Sequence, residues 1–113
     1  DTFIENESIK LNIALNYGGK LELVQAIKDI VKQGIDVDKI NDELIAKHLY
    51  TKGQGDPELV IRTGGRIRLS NFLLWQTAYS ELYFTKTLWP DFGADGLKKA
   101  IKWYQQQQRN FGK

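Results

Sequence analysis

Short apolar runs alternating with stretches of helical periodicity constrain this chain most. "LVIRT" (Leu59 to Thr63) is a short continuous apolar run of the kind that parallel sheets bury. "ELYFT" (Glu81 to Thr85) reads as a further strand, and "IKLNIALNY" (Ile9 to Tyr17) sets Ile9, Leu11, Ile13 and Leu15 at alternate positions, the period of a strand. Gly18 and Gly19 end that first stretch. Leu23, Val24, Ile27, Ile30 and Val31 then recur at helical spacing, and Gly34 is placed to close the helix. Asn41 is predicted to cap a second helix, with Ile40 and Ile45 placed for a hydrophobic staple and Leu44 and Leu49 extending its apolar stripe. "TKGQGDP" (Thr51 to Pro57) is a loop by composition. Ser70 is predicted to cap a helix through about Tyr79, "WPDFG" breaks the chain again, and a last helix runs from about Asp95 with Leu97, Ala100, Ile101 and Tyr104 on one face. Strand–helix alternation of this kind predicts an α/β fold, a parallel sheet flanked by helices. Three strands alone would leave a thin sheet with open edges, so further chain is expected to complete it.

Composition narrows the function classes. At 113 residues the chain is one domain's worth at most, and 42% hydrophobic with 27% charged residues is ordinary for a soluble globular protein. No apolar run approaches the roughly 18 residues of a membrane-spanning helix. The opening residues lack a basic start and an apolar core, so no signal peptide is expected. The absence of methionine, even at the first position, suggests a piece of a longer chain. Without cysteine there are no disulfides and no thiolate metal sites. The one histidine, His48, cannot build a zinc site and reads as a packing or surface residue on the second helix. Trp75, Trp89 and Trp103 read as core or subunit contacts. A net charge of +2, with bases interleaved among acids, gives no reason to expect a nucleic-acid partner.

The most chemical stretch is "VIRTGGRIRLSNFLLWQ" (Val60 to Gln76), with Arg62, Arg66 and Arg68 around a glycine turn at the end of a strand. Ligands of parallel α/β sheets bind beyond the carboxyl ends of the strands. Glycines let the backbone approach a bulky anion, and guanidinium forks match phosphate oxygens in pairs. Arg62, Arg66, Arg68 and the Ser70 hydroxyl therefore suit a diphosphate; the competing reading is a set of surface arginines facing carboxylates. No G-x-x-x-x-G-K-[ST] loop occurs. Glu81 begins a strand whose neighbours could bring it near the same rim. A carboxylate there tolerates a diphosphate only through a bridging cation such as magnesium; otherwise it is a surface or ion-paired glutamate. Asp56, before Pro57, reads as a turn former.

The run "DPELVIRTGGRIRLSNFLLWQTAYSELYFTKTLWPDF" (Asp56 to Phe92) closely resembles the C-terminal signature of the cis-prenyltransferases, and "LNIALNYGGKLELVQAIKDI" resembles the segment upstream. The resemblance implies that residues 1–113 form the C-terminal portion of a single cis-prenyltransferase domain. Enzymes of this family condense isopentenyl diphosphate onto an allylic diphosphate such as farnesyl diphosphate, with magnesium, to give cis-configured polyprenyl diphosphates. Carried over by position, the isopentenyl diphosphate clamp falls on Arg62, Arg68 and Ser70. The magnesium-associated glutamate falls on Glu81, supplied at or across a homodimer interface. A cytoplasmic location and transient membrane association for product release are implied in the same way.

Three departures accompany the likeness. The family's "DGNGRWA"-like motif, which brings the catalytic aspartate and the allylic phosphate loop, does not occur here. Nor do the following helices that form the product tunnel, so the chain alone is expected not to turn over. The turn that usually reads R-T-[SG]-G-E has Arg66 in place of the glutamate. In the tail, Asn110 stands where an arginine usually precedes the phenylalanine, with Arg109 one residue earlier. These departures leave an alternative, a non-catalytic partner subunit that keeps the fold. The retained Arg62, Arg68, Ser70 and Glu81 argue for the enzyme.

Overall fold

The structure, a computed structural model, describes residues 9–107. Three helices and two strands follow in chain order. They are α1 (Gly19–Lys32), α2 (Asp42–Lys47), β1 (Leu59–Arg62), β2 (Glu81–Phe84) and α3 (Ala94–Gln105), with short 3₁₀ turns at Val37–Lys39 and Trp89–Asp91. β1 and β2 pair in parallel, with Leu59 opposite Glu81 and Arg62 opposite Phe84. The α/β class and the parallel sheet agree with the sequence reading.

Each helix has a local reason to begin and end. The Asn41 side chain accepts from the Leu44 amide at 2.9 Å, which caps α2 as predicted. Gly34, at φ +66°, follows α1 in the left-handed conformation that stops a helix. The start of α1 is capped from far along the chain. The Gly19 amide donates to the Asn71 carbonyl at 2.7 Å and the Lys20 amide to Asn71 Oδ1 at 2.8 Å. Only glycine fits position 19, because a Cβ there would lie 2.8 Å from Leu74 Cγ and 3.0 Å from the Asn71 carbonyl oxygen.

α1 turns Glu22, Ala26 and Ile30 inward at four-residue spacing, while Val24, Ile27 and Val31 face out. Ala26, Ile30 and Leu49 are buried among these elements, and Ala100 is buried on α3. α3 lies against β2, where Tyr83 and Trp103 meet with ring centroids 5.3 Å apart. His48 has a packing role: Nδ1 lies 2.8 Å from the Leu44 carbonyl and Nε2 3.2 Å from the Gln33 side chain.

Two predicted elements do not form. Ile9 to Tyr17 is not a strand. Leu11 alone makes a bridge, and Ile9, Leu11, Ile13 and Leu15 are exposed. Alternating apolar residues make a strand only where a ladder partner and a covering layer exist, and among the described residues the ladder is β1–β2. Residues 70–79 are a succession of turns rather than a helix, and Ser70 is not an N-cap. Ser70, Asn71 and Leu73 take φ of +50°, +67° and +43°, which a right-handed helix excludes. Tertiary bonds override local propensity here: Asn71 is drawn to the start of α1 and Ser70 to Arg62. The tail residues Arg109 and Asn110 lie outside the described residues.

Candidate diphosphate-binding site

β1 ends at Arg62, and this side chain organises the loop beyond the strand. Its Nη1 donates to Ser70 Oγ at 2.9 Å and to the Arg68 carbonyl oxygen. The three residues marked from sequence as a clamp are therefore brought together. Arg62 ties down a loop whose first turn runs through Gly64 and Gly65, at φ +92° and +85°. Both conformations belong to glycine.

The glycine amides are not left for an anion, as the sequence suggested. Gly64 donates to the Thr87 carbonyl at 2.9 Å and Gly65 to the Thr85 carbonyl at 3.0 Å. The turn is thereby stitched to the chain leaving β2, and these two amides are not donors for an anion. Arg66 and Arg68 are exposed, and among the described residues their guanidinium groups have no hydrogen bond or ion pair. The surface-carboxylate reading therefore has no counterpart among the described residues. The Ser70 hydroxyl accepts from Arg62, which leaves its own proton free to donate to a phosphate oxygen.

Glu81 stands apart from this cluster. It opens β2 opposite Leu59, three register steps from the Arg62–Phe84 pair. At ~3.3 Å per residue that offset is about 10 Å along the sheet. Its amide donates to the Glu58 carbonyl at 2.9 Å, at the amino end. The register thus sets the Glu81 and Arg62 backbones at opposite ends of the strand pair. Among the described residues no group of three or more His, Cys, Asp or Glu could hold a metal ion.

One polar feature escaped sequence reasoning. Glu22 is 1% exposed, and among the described residues it has no cationic partner. Its carboxylate accepts from the Tyr17 hydroxyl, from the Tyr50 amide at 2.7 Å, and from Gln76 Nε2 at 3.2 and 3.3 Å. Burial, with the hydrogen bond to Glu22, pushes the Tyr17 phenol above its ordinary value. A glutamate on the inward stripe of α1, in line with Ala26 and Ile30, was the signal available in the sequence. Beside the cluster a cavity of about 440 Å³ opens, lined by Ile13, Tyr17, Tyr50, Phe72, Leu73 and Gln76 among others. None of the three arginines lines it.

The prenyltransferase family model, that of undecaprenyl diphosphate synthase, matches residues 1–112. The chain belongs to this family. It is 51% identical over 111 residues to an isoprenyl transferase of Clostridium tetani, covering 95% of this chain and 44% of that protein. An isoprenyl transferase of Chlamydia trachomatis is 54% identical over 109 residues, 93% of this chain and 43% of that one. Among solved structures, lavandulyl diphosphate synthase from Lavandula x intermedia, in complex with dimethylallyl diphosphate, superposes with a TM-score of 0.81 at 39% identity. That match covers 88% of this chain and 44% of the other. A probable undecaprenyl diphosphate synthase from Campylobacter jejuni superposes with a TM-score of 0.76 at 35% identity, covering 88% and 45%. The chain thus spans under half the length of the curated relatives it matches. The likeness to the cis-prenyltransferases drawn from Asp56 to Phe92 agrees with all of these comparisons. No helix among the described residues is long and apolar enough to cross a membrane.

Proposed function

We propose that this chain supplies the isopentenyl diphosphate clamp of a cis-prenyltransferase, the enzyme that extends an allylic diphosphate such as farnesyl diphosphate into a polyprenyl diphosphate. The observation that carries the reading is the Arg62 guanidinium, which gathers Ser70 and the Arg68 backbone at the carboxyl end of β1. Arg62 holds the loop in shape and keeps donors beyond those on Nη1. Arg68 presents an uncommitted fork, and Ser70 a free proton. Together they suit the oxygens of one diphosphate. Holding that diphosphate aims the homoallylic double bond at the allylic carbon, which is positional catalysis. The other diphosphate departs as an anion as the new carbon–carbon bond forms, so fixed positive charge nearby lowers the barrier.

Glu81 belongs to the same proposal through a second copy of the chain. Because it lies at the opposite end of the sheet from Arg62, its association with magnesium is assigned across a homodimer interface, toward a diphosphate held by the other copy. Residues 1–113 act in this reading as the C-terminal part of one catalytic domain, inactive alone, in a cytoplasmic enzyme that meets the membrane on releasing product. The support is family membership together with the geometry of the clamp.

A test is Arg68→Ala in a full-length enzyme that contains this sequence. Loss of a charge-assisted contact costs about 1.5–3 kcal/mol, so kcat/KM for isopentenyl diphosphate should fall ~10- to 150-fold. Unchanged kinetics would remove Arg68 from the clamp. The alternative, a non-catalytic partner subunit, draws on Arg66, which puts a cation where relatives of this type usually carry glutamate. A full-length protein with the clamp but no catalytic aspartate, inactive alone and activating a second chain, would favour it.

A further inference from the structure

The rim that holds Arg62 is built from two strand ends, and the second of them, the end of β2, carries more than an anchor for the glycine turn. The Gly64 and Gly65 amides bond the carbonyls of Thr87 and Thr85, which are the residues on either side of Lys86. The turn therefore straddles Lys86. A Cβ built on Gly65 would sit 3.9 Å from both Cα and Cγ of Lys86, so the lysine side chain leaves the backbone alongside the turn. Lys86 is exposed, and among the described residues its ammonium has no hydrogen bond or ion pair.

The charge distribution along the sheet gives this placement its meaning. Residues 62–70 and 84–88, which form the carboxyl end, contain Arg62, Arg66, Arg68 and Lys86 and no acid. The amino end carries Asp56, Glu58 and Glu81. A lysine held among like charges, without a carboxylate to pair with, costs electrostatic energy. An anion bound at the rim removes that cost.

We propose that Lys86 is a further cation of the diphosphate site beside Arg62 and Arg68, delivered by the end of β2, whose backbone the two glycine amides hold. This rests on the clamp reading and adds a residue that the clamp does not contain. It also gives the turn a second purpose. The glycine amides fix the backbone on either side of Lys86 rather than touching the anion. An ammonium is a compact charge that accommodates several phosphate orientations, whereas the Arg62 and Arg68 forks are directional. Lys86 therefore contributes affinity for the diphosphate group with little demand on its exact pose.

The experiment is a calorimetric titration of inorganic pyrophosphate into a full-length enzyme that contains this sequence and into four variants of it, with thermal melting of each. Lys86→Gln is expected to weaken binding about 10-fold with an unchanged melting temperature, and Lys86→Arg to stay within about twofold of the parent. Lys28→Gln, which removes an equal charge from α1, should leave affinity unchanged. Arg62→Ala reports on the clamp itself. If Arg62→Ala weakens binding and Lys86→Gln does not, Lys86 is excluded and the clamp stands. If Lys86→Gln and Lys28→Gln weaken binding equally, only net charge is at work and the assignment fails. If Lys86→Gln weakens binding and Arg62→Ala does not, the Arg62 clamp falls and the assignment of Lys86 to it falls with it. Absence of pyrophosphate binding by the parent enzyme overturns both.

Discussion

Replacing Glu22 by alanine tests whether this domain depends on a buried carboxylate with no cationic partner among the described residues. The side chain is 1% exposed, and the donors around it are the Tyr17 hydroxyl, the Tyr50 amide and the Gln76 amide group. Truncation takes the carboxylate from all three at once, but the donors are not equally stranded. Tyr17 is half-buried and Tyr50 exposed, so water can replace part of what they lose. Gln76 is 2% exposed and keeps only Thr51 Oγ1, at 3.1 Å. One cut-off donor costs about 1–3 kcal/mol, and the space left behind adds a smaller packing loss. The expected destabilisation is thus roughly 2–4 kcal/mol, a large share of a small domain's stability. Glu22→Gln should cost less, about 1 kcal/mol. Its oxygen can keep the Tyr50 amide while the Tyr17 hydroxyl turns from donor to acceptor for the new amide. Urea denaturation followed by tryptophan fluorescence measures both. A Glu22→Ala chain within about 0.5 kcal/mol of the parent would mean that the cluster is effectively solvated. Equal losses for alanine and glutamine would mean that charge, not donor satisfaction, sets the energy.

Other perturbations probe the remaining contacts. Tyr17 is held protonated above its ordinary value of about 10, so the unfolded chain gives up that proton first. Stability is fully present below pH ~10 and falls as pH rises above it, by at most about 1.4 kcal/mol per unit; Tyr17→Phe should flatten that decline above about pH 10. Gly19→Ala forces a Cβ against Leu74 and the Asn71 carbonyl and should cost about 1–3 kcal/mol in denaturation, whereas Gly34→Ala meets open space and pays only for its positive φ, about 1 kcal/mol. Asn71→Ala removes the cap on the Lys20 amide and should lower stability by about 0.5–2 kcal/mol, with the loss visible as faster amide exchange in the first turn of α1. Arg66→Glu swaps two units of charge on the exposed turn, so pyrophosphate should bind more weakly at low salt and almost equally at about 0.5 M.

The features that could be read from sequence are those whose causes are local. Asn41 caps α2 because its side chain reaches an amide three residues on. Leu59 to Arg62 and Glu81 to Phe84 are short apolar runs bounded by turn formers, and both became strands. Arg62, Arg66, Arg68 and Ser70 were marked by residue type at a strand end and narrowed to Arg62, Arg68 and Ser70 by the family resemblance, and Arg62 does bond the Ser70 hydroxyl and the Arg68 carbonyl. The features that could not be read depend on partners distant in the chain. Asn71 caps a helix that begins 52 residues earlier, and Gln76 meets Glu22 across 54. The pull of these bonds is also why "SNFLLWQTAY" did not become a helix in spite of its composition. Ile9 to Tyr17 shows the converse limit: a correct period gives no strand where no ladder takes it up.

The end-to-end polarity of the sheet bears on how the proposed enzyme must be assembled. Parallel pairing fixes Leu59 against Glu81, and each residue of shift would invert every side chain of β2 between the two faces of the sheet. The offset of about 10 Å between Glu81 and Arg62 is therefore not something a small adjustment removes. The cross-copy reading has Glu81 work on a diphosphate held by another chain. A second copy related by a two-fold axis perpendicular to the strands places the amino end of one sheet beside the carboxyl end of the other, and it does so twice by symmetry. Acid-rich and base-rich rims then face each other, which steers the association toward this orientation. Mixing chains that carry Glu81→Ala with chains that carry Arg62→Ala, both in a full-length enzyme, separates the possibilities. Heterodimers formed by mixing would regain one intact site made of Arg62 from the first chain and Glu81 from the second. With random pairing, about half the molecules are mixed, and total activity should approach roughly a quarter of the parent's. No recovery above either variant alone would place both residues in the service of one chain and undo the cross-copy assignment of Glu81.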